Sequence, residues 1–183
     1  MTMVYCNLSN HGSVTVSAPR LFAESGTNAN GDFAYAMEHP IQNIPVTTAG
    51  SLSNNAAHAD QGIWLGSGDL ARKGNVLIPG LVSCAAVLFY NAKFVLIGAG
   101  HAAGGFIDNK VMNQITNKIP SDGEQYIVYA TPTLMGETTG SYADSLGKLE
   151  KKWDTRRICF IDGFAHHSMG MVIADMTGNI SFQ

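Results

Sequence analysis

A chain of 183 residues with 45% hydrophobic and 14% charged side chains is long enough to bury one core and too apolar to remain disordered. Its formal net charge of -3 lacks the basic footprint of a protein that tracks phosphates, so nucleic acid is not an expected partner. The most apolar stretch, residues 81–100, is broken by Asn91 and Lys93 and falls short of the roughly 20 apolar residues of a spanning helix. No membrane partner is therefore expected.

The first twenty residues have no basic start followed by an apolar block, so a cleaved secretory signal is not expected and the cytoplasm is the default compartment. Cys6, Cys84 and Cys159 are odd in number and widely spaced, which gives neither a disulfide framework nor a paired-cysteine metal motif. No repeat or linker interrupts the chain. One domain, residues 1–183, is expected.

In chain order, residues 4–8 and 14–17 flank the turn-forming Asn10-His11-Gly12 and read as an opening hairpin. Residues 25–32 are loop chemistry. Residues 46–62 are small and polar without a period, and they receive no assignment. The strongest signal lies in residues 78–100, where two apolar runs, 85–90 and 94–98, are separated by Asn91-Ala92-Lys93. Both faces of each run are apolar, as in a central hairpin covered on both sides. Ile107, Val111, Ile115 and Ile119 recur every four residues, the spacing of a covering helix, and Pro120 stops it. Residues 126–129 form a short strand. Leu146, Leu149 and Trp153 give a second amphipathic helix with Ser141 and Asp144 at capping-box spacing. Residues 157–161, 171–174 and 180–182 read as strands. The expected fold class is α+β, a mainly antiparallel, sandwich-like sheet with covering helices.

Cys84 opens the first central strand and His101 ends the second. With a two-residue turn at Asn91-Ala92, Tyr90 pairs with Lys93 and Cys84 falls opposite Ala99. Side chains alternate with period two, so His101 then shares the face of Cys84 at a diagonal position. A three-residue turn without a bulge would separate them. A thiol beside an imidazole can become a thiolate, the competent nucleophile for a carbonyl carbon. The alternative is a small buried core cysteine in an otherwise inert binding protein.

The run Gly80-Leu81-Val82-Ser83-Cys84-Ala85-Ala86-Val87-Leu88-Phe89-Tyr90, followed after a turn by Gly98-Ala99-Gly100-His101, resembles the chemoreceptor glutamine deamidases of the CheD type. It is also similar to the cytotoxic necrotising factor toxins, which share the same cysteine and histidine arrangement. The resemblance implies a CheD-like fold, with Cys84 as nucleophile and His101 as general base and acid. The backbone amides of Ser83 and Cys84 then form the oxyanion hole. It implies no cofactor and no metal. Its partner is a protein carrying a reactive glutamine, either a bacterial receptor or a host protein reached by a delivered toxin or effector. The chemoreceptor enzymes carry a Thr six positions before the Cys to orient the His, and here that position is Ile78. The toxins use a backbone carbonyl instead. A carbonyl, Thr47, Thr48, Asn54 and Asp60 all remain open for that role.

The same stretch holds a competing motif. Residues 94–97 followed by Gly98-x-Gly100-x-x-Ala103 have the form of a dinucleotide fingerprint of an oxidoreductase, although no strand ending in an acid follows at the required distance. A cysteine protease would use the same Cys and His. His166-His167 reads as a loop or strand-end pair, and Met169, Met171 and Met176 as core filling. Cys6 and Cys159 read as core, Trp64 and Trp153 as packing anchors. Lys148, Lys151, Lys152, Arg156 and Arg157 read as a solvated helix face.

Overall fold

The computed structural model describes residues 2–24, 33–47, 52–121, 125–132, 139–153, 155–165 and 169–183. Among these residues eleven strands fall into two open sheets. The first has six strands in the order β1 (Thr2–Asn7), β9 (Thr155–Asp162), β8 (Gln125–Thr131), β6 (Ala85–Asn91), β7 (Leu96–Ala102) and β4 (Trp64–Gly66). The second runs β2 (Val14–Ser17), β11 (Asn179–Phe182), β10 (Gly170–Asp175), β5 (Asn75–Leu81) and β3 (Ala57–His58). Most pairs are antiparallel, but β1 with β9, β8 with β9 and β3 with β5 are parallel. The α-helices among the described residues are α1 (Ala18–Glu24), α2 (Phe33–Glu38), α3 (Ser67–Leu70), α4 (Asn109–Thr116) and α5 (Thr139–Lys152). This is a mixed α and β architecture, as the α+β expectation requires.

Strand alternation explains the layers. One face of the first sheet, with Cys6, Ala86, Leu88, Val128 and Cys159, packs in a single cluster with Ile78, Val172, Ala174 and Phe182 of the second sheet. Its other face, with Val87, Phe89, Ile127 and Phe160, packs against Ile115 of α4 and Leu146, Leu149 and Trp153 around α5. Because β6 is buried on both faces from Ala85 to Tyr90, the continuous apolar run is what its position demands. Trp153 is wholly buried beside Phe89, ring centroids 5.2 Å apart. Its indole N–H donates to the Pro120 carbonyl at 2.9 Å, which ties the end of α5 to the stop after α4.

The opening hairpin is not formed. β1 joins the first sheet beside β9, and β2 joins the second beside β11, so Asn10-His11-Gly12 turns a corner between sheets. The second amphipathic helix starts at Thr139, so Ser141 lies inside it rather than at a cap, and Asp144 pairs with Lys148 at 3.0 Å. α4 is capped instead by Asp108, whose carboxylate accepts from the Val111 amide at 2.8 Å. Met169 is exposed and is not core filling. Among the described residues no helix is long and apolar enough to cross a membrane.

Candidate functional site

Cys84 sits on the connection that carries the chain from the second sheet to the first. β5 ends at Leu81, Gly80 takes a left-handed φ of 66° that a side chain would resist, and Val82 and Ser83 are exposed. Cys84 is the last residue before β6 and is 7% exposed, packed in the cluster between the sheets. The thiol is thus at the rim of a rigid element. It is one step from solvent.

His101 lies on the neighbouring strand and is 2% exposed. The register differs from the expected one. Ala86 opposes His101 and Ala85 opposes Ala102, four residues away from a ladder built on a two-residue turn. The reason is the loop, in which the Asn91 side-chain oxygen accepts from the Lys93 and Val95 amides at 2.9 and 3.0 Å and Phe94 adopts φ 58°. A bulge between Phe89 and Tyr90 completes the shift. A shift of even length preserves side-chain parity. His101 therefore stays on the face shared by Ala86 and Cys84, again at the diagonal position.

The ring is oriented by a backbone carbonyl. His101 Nδ1 lies 3.2 Å from the Ala59 oxygen, and because a carbonyl only accepts, Nδ1 carries the proton and Nε2 presents its lone pair. Nε2 is buried without a hydrogen-bond partner. No hydrogen bond joins it to Cys84, so the two groups share a face without forming a resting pair. Burial holds the imidazole pKa below its ordinary 6.5, opposed by the Ala59 carbonyl and by Asp60, so the ring is neutral at neutral pH. Of the other groups considered for orienting the ring, Ile78 is buried against Val172 in the intersheet core. Thr47 bonds through its amide to Thr15, Asn54 is exposed, and Thr48 lies outside the described residues.

The Cys84 amide has the geometry of a donor in waiting. The N–H and C=O of His101 bond to Ile63 and Gly62, which lead into β4, so the opposing Ala86 directs its own amide to β8. Cys84, two residues earlier, faces the same way beyond the last β6 and β8 pair, Ala86 with Ala130. The Pro132 carbonyl there already accepts from the Ala165 amide at 2.8 Å. Neither the Ser83 nor the Cys84 amide makes a hydrogen bond among the described residues.

Around this end of the sheet lies a polar cluster that no sequence motif announced. Asp162, 2% exposed, accepts from the Thr131 hydroxyl at 2.9 Å and the Tyr5 hydroxyl at 3.2 Å. Thr131 and Asp162 are opposed at the carboxyl ends of parallel β8 and β9, the end at which open sheets with parallel strands hold their ligands. Tyr129 donates to the Gly105 carbonyl, and Tyr142 meets Tyr129 edge to face at 5.9 Å. The one readable signal was position, since Tyr5, Tyr129, Thr131 and Asp162 each end or nearly end an apolar run.

The dinucleotide fingerprint does not take its required form. Gly98 and Gly100 are inside β7, hydrogen-bonded on both sides to β6 and β4, not in a strand-to-helix turn. Their missing side chains make room for Ile119 and Trp64, so no phosphate cradle exists there. His166-His167, Asp154 and the side chains of Arg156 and Arg157 lie outside the described residues. Lys151 and Lys152 are exposed. Cys6 and Cys159 are buried core residues, and burial pushes the Cys6 thiol up to about 12 and Cys159 well above its ordinary value. Among the described residues no three His, Cys, Asp or Glu side chains are grouped to hold a metal ion. Comparison of the chain with protein-family models and with curated proteins finds no match.

Proposed function

We propose that the protein is a cysteine-dependent amidohydrolase of the CheD-like type that deamidates a glutamine of a partner protein. The observation that carries this reading is His101, whose Nδ1 is fixed by the Ala59 carbonyl while its buried Nε2 has no partner on the face it shares with Cys84. A buried polar atom left unbonded costs about 1–3 kcal/mol, and a reacting thiol or its substrate removes that cost. Neutral imidazole is the form a general base needs.

In the reaction, Nε2 takes the Cys84 proton as sulfur attacks the carboxamide carbon, and the carbonyl electron pair moves onto oxygen. That oxyanion is held by the Cys84 amide. Collapse breaks the carbon–nitrogen bond, and the proton on Nε2 leaves with nitrogen as ammonia. Water then gives a proton to Nε2 and adds its oxygen to the thioester. The second collapse releases the thiolate, which recovers the proton, and a glutamate remains.

Two measurements test this. Iodoacetamide at mildly acidic pH labels Cys84 ahead of Cys6 and Cys159, and His101→Ala slows that labelling. Incubation with casein as a glutamine probe, with and without dansylcadaverine, gives Gln-to-Glu conversion and amine incorporation that Cys84→Ser abolishes. Equal slow labelling of all three thiols, unchanged in His101→Ala, returns Cys84 to the core and leaves a binding protein. Backbone cleavage without Gln-to-Glu conversion makes the chain a protease.

A further inference from the structure

Four of the seven large apolar side chains exposed among the described residues gather at one place. Ile63, Val82, Phe106 and Met169 are 45, 51, 56 and 67% exposed, and the strand registers bring all four to the end of the sheets that holds Cys84 and His101. Ile63 lies beside His101, whose amide donates to the Ile63 carbonyl at 3.2 Å. Gly62, at φ 80°, donates to the His101 carbonyl at 2.9 Å. Two residues thus oppose one in a bulge, a device that re-aims side chains next to sites. Val82 stands two residues before Cys84. Leu81 pairs with Gly170 in antiparallel β5 and β10, which sets Met169 next to Val82. Phe106 follows the 3-10 turn Ala103–Gly105, which continues His101's strand and packs on β6. Its ring lies over Gly104, where a Cβ would meet it at 3.0 Å.

Charge at this end has one sign. The described segments that build it, residues 58–65, 81–86, 99–108, 129–132, 162–165 and 169–170, carry Asp60, Asp108 and Asp162 and no Lys or Arg. Lys110, the first basic residue beyond them, belongs to α4. Asp162 is buried, whereas Asp60 and Asp108 are exposed. Asp60 opens the turn that presents Ile63, its carbonyl accepting from the Ile63 amide at 2.9 Å. Asp108 stands two residues after Phe106. Single exposed apolar residues need no explanation, but a group of them around a reactive side chain marks a contact surface. Its complement is a partner that is apolar at its centre and cationic at its margin.

We propose that this end of the molecule docks a glutamine-bearing protein segment whose neighbouring side chains are apolar and whose flanks carry Lys or Arg. The inference rests on the Cys84 and His101 reading above and names the substrate class for that site. Ile63 and Phe106 stand on the β7 side of the pair, Val82 and Met169 on the side of β5 and β10. A segment that crosses from one couple to the other carries its central side chain past Cys84. Its apolar neighbours then cover the rim and expel water from a site whose base is already buried. Its cations face Asp60 and Asp108.

Acetylated, amidated pentapeptides supply the test, with ammonia release as the readout. The probes are Lys-Leu-Gln-Leu-Lys, Lys-Ser-Gln-Ser-Lys and Glu-Leu-Gln-Leu-Glu. The first should exceed the second in kcat/KM by roughly tenfold or more, as partial burial of two leucines requires. It should exceed the third at low salt, and that margin should narrow as salt screens the carboxylates. Phe106→Ser and Met169→Ser change exposed side chains, and each should cut the preference for leucine over serine to below about threefold. No preference in the wild type, a preference for the acidic peptide, or a leucine preference that survives both substitutions overturns the proposal and leaves the nucleophile reading intact. A dimer in analytical ultracentrifugation that either substitution dissolves gives the surface to a second copy of the chain and likewise overturns it. If no peptide releases ammonia while iodoacetamide still alkylates Cys84 in a His101-dependent way, the docking proposal alone fails. Slow alkylation of Cys84 that ignores His101→Ala removes the underlying reading itself.

Discussion

Replacing Gly100 by Ala tests how His101 is held. Gly100 is opposed by Trp64 of β4 on one side and Val87 of β6 on the other. A Cβ at Gly100 would lie 2.5 Å from the Trp64 ring atoms Cδ2 and Cζ3 and would overlap Cε3 between them. Ordinary carbon contacts are about 3.5–4.0 Å, so the indole must retreat by about 1 Å or more. Trp64 is buried and its fused ring cannot bend out of the way. Overpacking of this kind costs about 1–3 kcal/mol, and the rigid neighbour puts Gly100→Ala at about 2–3. For a chain of this length each kcal/mol moves the melting temperature by about 2–4 °C, so calorimetry should find a drop of roughly 4–12 °C. In a Trp64→Leu background the obstacle is gone, and the same substitution should become neutral or stabilising by up to about 1 kcal/mol, since Gly inside a strand costs entropy. The sign change is the decisive result. An equal loss in both backgrounds would show that the cost arises elsewhere and that Trp64 does not fix the β4 and β7 contact beside His101.

Two further outcomes follow from buried polar groups. His101 has a folded pKa below 6.5 because burial disfavours its charge, so the unfolded chain takes the proton first on acidification. Its stabilising contribution is complete above about pH 6.5 and is lost as pH falls below that value towards the folded pKa. The loss of melting temperature between pH 7.5 and 5 should shrink in His101→Gln, and an equal loss in both proteins would refute the assignment. Thr131→Val keeps the shape but takes from buried Asp162 the donor at 2.9 Å. Urea unfolding should show a loss of about 1.5–3 kcal/mol, as for a bond to a charged group, and a loss below about 0.5 kcal/mol would place the carboxylate in water.

The legibility of the fold follows the range of the contacts. The β6 and β7 hairpin, α4 and the last strands are written in local periodicity, and they stand where that periodicity puts them. Even with the wrong turn length, the face shared by Cys84 and His101 was readable, because the error was an even number of residues. β1 and β2 were misread because a turn made of Asn, His and Gly serves a hairpin and a corner between sheets equally well, and the partners that decide, β9 and β11, are remote in sequence. Residues 46–62 carried no period because β3 is two residues long. The Ala59 carbonyl that orients His101 belongs to that unread stretch. A backbone oxygen has no sequence signature. Asp162, Thr131, Tyr129 and Tyr142 were invisible for a related reason, since only sheet order brings them to one end.

The parallel pairing of β1 with β9 also fixes an order of events in time. Thr2 pairs with Arg157 and Asn7 with Asp162, so each residue of β1 waits for a partner 155 positions further along the chain. At roughly 5–20 residues per second, a nascent chain holds β1 for about 8–30 s before β9 exists. Met3, Val4, Tyr5 and Cys6 are all buried in the finished sheet and have no local alternative partner in β2. Docking of β1 is thus a long-range strand capture, slow by its sequence separation. It delivers the Tyr5 hydroxyl to Asp162 and so completes the polar end of the sheet.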